Sequence, residues 1–413
     1  MIGATVFVSC AKDDKSSKEY TADEQKTKLD KVATAFVNEF DLDNWKDVVE
    51  VMLPAVQALQ STDISALAGV EPEVRTETID VAAKLYIVDY LTDYSNVKGH
   101  YNITDGVVVA ESGTFDDFHL AFSAEKHDYD AAVKVVNSKN EIVVYEYEYE
   151  DDGYWDEEED NWVEVSGMIH KGTTKVILPS KITATVTADK TTTFDVIFNM
   201  SYSGPDKIDG DIPDLSKIKA NVSTTIAAGD YTIDLSKLDI SDNNVGETCT
   251  LSHGKKQMLK IDGNLKNFVV KEEADYESGV TCDNAEVTID IMGEIQIKGF
   301  VKYNSMMDAI RLASKGMSEE TTAEDMNKML ETLKAFYSLD VYYDGGSSKQ
   351  AWLELEADKY LEVVPVIVFQ DGTRYAGDAI EENFSEKTFA GTIAAVNALQ
   401  TKVESYFNAL YGN

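Results

Sequence analysis

The chain has 413 residues, with 37 Lys and Arg against 75 Asp and Glu, a formal net charge of −38. Its hydrophobic content of 43 % excludes a mainly disordered chain, and at roughly 100–200 residues per domain the length suggests two or three structural units. A surface this acidic repels phosphate backbones and anionic lipid, which argues against nucleic acid and against membrane surfaces held by charge.

Residues 1–10, MIGATVFVSC, are small and apolar and end at Cys10. The stretch is too short to span a bilayer, which takes about 20 apolar residues. It also lacks the Lys/Arg-rich start of a full signal peptide, so residues 1–9 read as the remnant of one whose start is either truncated or placed at an internal Met. Ala4, Val6, Phe7 and Val8 resemble the end of a signal-peptide hydrophobic region. Val8-Ser9 before Cys10 resembles a lipobox, in which the cysteine is lipidated on sulfur and becomes the mature N-terminus. The other reading is a short buried strand with an ordinary cysteine. Residues 10–18 form a polar tether, and Lys12-Asp13-Asp14 resembles the export signal of Bacteroidetes lipoproteins. That resemblance implies a protein of the outer membrane, displayed at the cell surface and attached through its lipid alone.

Residues 19–98 read as helical. Thr21 and Glu24 make a capping box, and Leu29, Val32, Ala33, Phe36, Val37 and Phe40 recur on one helical face. A second stripe, Trp45, Val48, Val49, Met52, Val56 and Leu59, contains Pro54, which is expected to kink or split it. Periodicity does not separate helix from strand for Val81–Leu91, and we read it as helix.

Between 99 and 303 the texture changes to short alternating runs rich in Val, Ile, Thr, Tyr and Phe, separated by Gly, Asn and Asp, which predicts antiparallel sheet. The segment 180–187 (SKITATVT) is echoed at 216–223 (SKIKANVS), as expected for equivalent positions in a meander. Residues 304–413 return to mixed structure. Thr321 and Glu324 are expected to cap a helix bearing Met326, Met329, Leu330, Leu333 and Phe336. Three strands follow, Asp371-Gly372 marks a hairpin turn, and a final helix is expected from about Glu386 to Tyr411. The predicted fold is therefore α+β: a large central antiparallel β-sheet (meander, sandwich or half-barrel) with amphipathic helices at both ends of the chain. The C-terminal region and the β region could form one unit.

Signatures of catalysis are absent: no G-x-S-x-G, no phosphate-binding Gly-rich loop and no H-E-x-x-H. His100, His119, His127, His170 and His253 are scattered without metal-ligand spacing and read as surface or packed strand residues. Apart from Cys10, Cys249 and Cys282 either form a disulfide or remain separate buried thiols. With no CxxC and no Cys/His cluster, structural zinc is not expected.

The most unusual segment is 141–164, EIVVYEYEYEDDGYWDEEEDNWVE. It holds twelve acids, no Lys or Arg, and the aromatics Tyr145, Tyr147, Tyr149, Tyr154, Trp155 and Trp162. On a strand, Tyr145, Tyr147 and Tyr149 share one face and Glu146, Glu148 and Glu150 the other. Stacking of the aromatics on sugars is one reading. Ca²⁺ coordination by Asp151, Asp152, Asp156, Glu157 and Glu158 is another, although the spacing is not that of an EF-hand loop. Docking of a basic partner is a third, and a solvated acidic hairpin is the plain alternative.

Taken together, Cys10 with its tether, the acidic aromatic hairpin and the following LPSKITATVTAD resemble a family of Bacteroidetes surface lipoproteins. The resemblance covers residues 8–18 and about 141–190, and it brings no catalytic residues to carry over. The expected function is that of a lipid-anchored, non-catalytic binding or accessory protein whose ligand is a glycan, a cation or an envelope component. Carriage of a lipid or other apolar ligand between the helices and a curved sheet is the alternative, lined by Phe36, Phe40, Trp45, Met52, Phe389 and Phe407. Hydrolysis is a third reading.

Overall fold

The computed structural model describes residues 19–40, 98–156, 161–204, 207–208, 219–272, 278–315 and 321–411, with positions 48, 50–52, 54–55 and 57–58; for 138–156, 161–178, 207–208, 270–272, 278–280 and 406–411 it describes the backbone alone. The described chain is mostly a large mixed β-sheet with a few helices, roughly α+β. No described helix is long and apolar enough to cross a membrane. The chain divides into two compact units. One comprises Asp41–Lys256 and Asp262–Asp283; the other comprises Met1–Phe40, Gln257–Ile261 and Asn284–Asn413.

The first of these units is built from β1 (Gly99–Thr104), β2 (Val107–Ala110), β3 (Phe118–Ala124), β4 (His127–Asp156), β5 (Asn161–Ala188), β6 (Thr191–Ser203), β7 (Lys207–Ile208), β8 (Lys219–Ala228), β9 (Tyr231–Ser241) and β10 (Asn244–His253). Strand β11 (Lys256–Lys266) and the pair β12 (Val269–Glu272) and β13 (Ser278–Thr281) follow. From β3 to β6 and from β8 to β10 the pairings are antiparallel, as the alternating runs predict. Two-residue turns with both φ values positive join several of them, among them Asp105-Gly106 and Asp242-Asn243. Such turns match the twist of the strands they connect.

Two pairings correct the purely antiparallel expectation: β1 runs parallel to β3, and β4 runs parallel to β7. Strand β1 makes a hairpin with β2 on one side, and the return through residues 111–117 brings β3 alongside its other edge in the same direction. Parallel neighbours need a connection of this kind, which a tight turn cannot make. The described part of the sequence echo has a plain origin, because 180–187 and 219–223 flank β6: Asn199 is paired with Lys181 on one side and Ser223 on the other.

Alternation along β1, β3 and β4 sends Tyr101, Leu120, Phe122 and Tyr129 to one face, where they form a core with Val108, Ala188 and Ala55. Helical residues around 48–58 supply Val51, Ala55 and Ala58 to that core, and helix is present on both sides of Pro54. The Tyr129 hydroxyl donates to the Val51 carbonyl, which satisfies a polar group that the core would otherwise strand. Met52 of the proposed apolar lining accepts a contact from Thr193 Oγ1 at 3.5 Å; Trp45 and Val81–Leu91 lie outside the described residues.

The other unit contains α1 (Ala22–Glu39), β14 (Asn284–Ile291), β15 (Ile295–Val301), α2 (Tyr303–Ser314), α3 (Ala323–Leu333), β16 (Tyr337–Tyr343), β17 (Ala351–Ala357), β18 (Val363–Phe369), β19 (Arg374–Ala376), α4 (Asp378–Asn383) and α5 (Ala390–Tyr411). Strands β14 to β19 are joined in order as an antiparallel meander. The Thr21–Glu24 capping box on α1 is present. Val32 and Leu29 of that helix pack on Ile295, Ile297 and Tyr343, which is ordinary core packing for two members of the stripe that also holds Phe36 and Phe40. The second capping box lies one residue later than expected, at Thr322 and Asp325, because the sequence TTAED offers two overlapping threonine–acid pairs. The last helix begins at Ala390; residues 386–389 form turns before it. Phe389 stacks against Phe384 rather than standing open, and the Phe407 side chain lies outside the described residues.

Candidate functional site

The face of β1 and β3 opposite the Tyr101–Leu120 core is polar. Parallel register sets His100 directly beside His119, and side chains at in-register positions project from the same face. Asp117 ends the loop that enters β3, and two backbone bonds fix this corner. The Gly99 N–H donates to the Asp117 carbonyl at 2.9 Å, and the Glu111 N–H donates to the His100 carbonyl at 2.8 Å. The Asp117 carboxylate then sits between two imidazoles: Oδ1 lies 3.0 Å from His100 Nε2 and Oδ2 lies 3.5 Å from His119 Nε2. One ligating atom from each of the three residues falls within 4.8 Å of the others.

The surroundings hold this arrangement in place. His119 Nδ1 lies 3.2 Å from Asp130 Oδ1 on β4. The His100 ring is stacked on Phe115 at 3.9 Å between centroids and lies 4.5 Å from the His119 ring. Lys134 pairs with the neighbouring Asp116 at 3.1 Å. The Asp117 carboxyl is held below its ordinary value, chiefly by the hydrogen bond with His100, against slight desolvation, with help from the charges of His119 and Lys134. A carboxylate between two imidazoles can accept hydrogen bonds, or it can share a cation with them.

A second histidine–carboxylate pair lies elsewhere in the unit: His127 Nδ1 is 2.7 Å from Asp189 Oδ2, and the Asp128 N–H donates to Asp189 Oδ1 at 3.0 Å. It lies at the turn between β5 and β6, and among the described residues no third metal-ligating side chain joins it.

The acidic aromatic segment forms the long β4–β5 hairpin. Its register pairs Tyr145 with Thr173, Tyr147 with His170, Tyr149 with Met168, Tyr154 with Val163 and Trp155 with Trp162. Strand β3 pairs with β4 only at 127–133, and β6 pairs with β5 only at 181–188. Among the described residues, Tyr145–Asp156 therefore pairs with β5 alone, as a two-stranded ribbon of roughly 40 Å at about 3.3 Å per residue. Asp151, Asp152 and Asp156 occupy strand positions opposite Ser166, Val165 and Asn161. Successive strand positions lie on opposite faces, so Asp151 and Asp152 do not share one. Glu157 and Glu158 lie outside the described residues, as does Cys10.

Of the two alternatives for Cys249 and Cys282, the structure has the separate thiols and no disulfide. Cys282 is buried, and its Sγ donates to the Lys266 carbonyl at 3.4 Å; Cys249 is only half-buried.

Sequence reasoning missed the His100–Asp117–His119 grouping because a parallel pairing, not a short spacing, creates it. One local signal was present, the pattern Asp117-Phe118-His119, which places acid and imidazole two positions apart at the start of a strand. No family model, curated protein or solved structure matches the chain.

Proposed function

We propose that the protein is a surface-displayed, lipid-anchored binding protein of the outer membrane, held through Cys10, and that the β4–β5 ribbon is the arm that engages a glycan. The observation that carries this reading is the ribbon's register, which pairs Trp155 with Trp162, with Tyr145, Tyr147 and Tyr149 at alternating positions along β4. Aromatic rings stack on sugar faces and neighbouring carboxylates accept from hydroxyls, so a narrow ribbon bearing both suits a polyhydroxylated ligand. Sheet twist and alternation present two chemically different faces on one arm. In the finer architecture we read, the sheet is a large central one and amphipathic helices stand at both ends of the chain. No bond-breaking step belongs to this function.

Glycan-array binding by the protein and by a Tyr147→Ala/Tyr149→Ala/Trp155→Ala variant tests the arm. Selective binding that the variant loses, with an unchanged circular dichroism spectrum, is the expected result; binding unchanged in the variant overturns it. The address has its own test. Fatty-acid labelling in cells is expected to depend on Cys10, and labelling that persists in Cys10→Ala overturns the anchor.

A further inference from the structure

We propose that His100, Asp117 and His119 form a binding site for a divalent first-row transition ion, with Zn²⁺ as its representative, independent of the ribbon. A neutral imidazole has one N–H to give and one lone pair. His119 faces a carboxylate on each side, Asp130 at Nδ1 and Asp117 at Nε2, and both are acceptors. Only the Asp130 contact, at 3.2 Å, is a hydrogen bond; with Nδ1–H donating there, the Nε2 lone pair and the Asp117 oxygen 3.5 Å from it are free to share a cation. His100 Nε2, 3.0 Å from the same carboxylate, supplies the third donor.

The remaining observations fit this assignment. Bonds of about 2.0–2.2 Å from Zn²⁺ to nitrogen and carboxylate oxygen place ligand atoms slightly over 3 Å apart around a tetrahedron. His100 Nε2 lies 3.0 Å from Asp117 Oδ1 and His119 Nε2 lies 3.5 Å from Oδ2, and one ligand atom from each residue falls within 4.8 Å of the other two, so side-chain rotation closes the set. Asp130 stands where metal-bound histidines keep a carboxylate, behind the ligating ring, fixing its orientation and tautomer. Both histidines come from paired strands and the aspartate from the end of a loop tied to Gly99, so the frame does not depend on metal to exist. The donor set of two imidazoles and one carboxylate suits Zn²⁺, Ni²⁺ or Cu²⁺ and disfavours Ca²⁺ and Mg²⁺, which take oxygen. Side chains 22–34 % exposed leave a fourth position open to water or to a partner's donor. Lys134 is the nearby cation that opposes binding, and its pairing with Asp116 offsets that repulsion.

The test is Zn²⁺ titration of the full chain against a competing chromophoric chelator. One Zn²⁺ per chain is expected, lost in His119→Asn and Asp117→Asn, and weakened about 10–100-fold in Asp130→Asn. Binding should be unchanged in His127→Asn and in Asp151→Asn/Asp152→Asn, which separates this site from the second histidine pair and from the acidic ribbon. Failure of the glycan experiment would leave this result untouched. Because substituted chains can misfold, the Cu²⁺ complex of the unaltered protein gives a second readout: hyperfine structure from two imidazole nitrogens in its electron paramagnetic resonance spectrum. No stoichiometric Zn²⁺, Zn²⁺ retained by His119→Asn, or Cu²⁺ without nitrogen coupling would each overturn the proposal.

Discussion

Asp30 on α1 caps the N-terminus of α5 through Thr392: its carboxylate accepts from the Thr392 N–H at 2.8 Å, from the Thr392 hydroxyl at 2.8 Å and from the Gly391 N–H at 3.2 Å. The first N–H groups of a helix have no partner within it, and a carboxylate there also meets the positive end of the helix dipole. Gly391 is what allows the approach, because a Cβ at that position would lie 2.7 Å from Asp30 Oδ2. The N-terminus of α1 is served in the same way, with the Ala22 N–H donating to Asp371 Oδ2 at 2.8 Å. Two carboxylates distant in sequence thus tie together the helices and the β18–β19 turn of one unit.

Replacement Asp30→Ala should therefore cost about 0.5–2 kcal/mol, the range for losing a helix cap. Burial alone would raise the Asp30 carboxyl, but its bonds from Thr392 and Gly391 prevail and hold it below its ordinary value. A carboxyl lowered on folding stabilises at pH above its unfolded value, about 3.9, and that contribution disappears as pH falls through the folded value. The difference in thermal midpoint between the protein and Asp30→Ala should be full at neutral pH and narrow steadily below about pH 4. A difference that grows in acid would contradict the assignment.

Gln25 is the second case, a fully buried amide with every bond taken by the fold. Its Nε2 donates to the Gln350 carbonyl at 2.7 Å and the Tyr20 carbonyl at 3.1 Å, and its Oε1 accepts from the Tyr343 hydroxyl at 3.2 Å. Burial pushes the Tyr343 phenol well above its usual value, so it stays a donor. Gln25→Leu keeps the bulk but removes its bonds to the Tyr20 and Gln350 carbonyls, the latter still accepting from the Gln370 N–H, and takes the Gln25 acceptor from the buried Tyr343 hydroxyl, at about 1–3 kcal/mol. Chemical denaturation should show that loss. Adding Tyr343→Phe should cost less in the Gln25→Leu background than alone, because the hydroxyl has already lost its acceptor.

The elements that patterning reveals are those whose burial repeats locally. The Val32 stripe of α1, the Leu330 and Leu333 face of α3 and the hairpin at Gly372 all follow from spacing or turn chemistry in a few adjacent residues. Helix α2 does not, since Tyr303–Ser314 directly follows a strand and its Met306, Ala309 and Ile310 gain meaning only against Leu330 and Leu333. Nor could alternation reveal which strands become neighbours. The β1–β3 parallel register is a tertiary choice, and the grouping of His100 with His119 depends on it. The ribbon is legible as a hairpin, while its projection past β3 and β6 depends on where those strands end.

The cysteines give a third prediction. In a Cys10→Ser chain, two thiols should titrate in denaturant without any reductant. In the native protein Cys249 should react ahead of Cys282, which is 5 % exposed and bonded through sulfur to Lys266. Absence of titratable thiol before reduction would restore the disulfide.

Gly99 provides the last and joins the fold to the histidine corner. Its φ of 154° lies where L-residues are strained, and a Cβ there would sit 2.8 Å from Tyr101 Oη and 2.9 Å from Cζ. Tyr101 is buried in the core beneath, so its ring cannot simply swing outward. Gly99→Ala should destabilise the protein by about 1–3 kcal/mol. Gly106→Ala, at a positive φ of 73° with nothing within 4 Å of the added carbon, should cost less, about 1 kcal/mol. The comparison reads the clash together with the greater backbone strain at 154°, since both changes add one methyl at a positive φ. The Gly99 N–H also holds the Asp117 carbonyl, so Gly99→Ala should displace Asp117 from His100, visible as altered histidine ring chemical shifts. Equal costs at the two glycines, with unmoved histidine signals, would show that Gly99 does not position this corner.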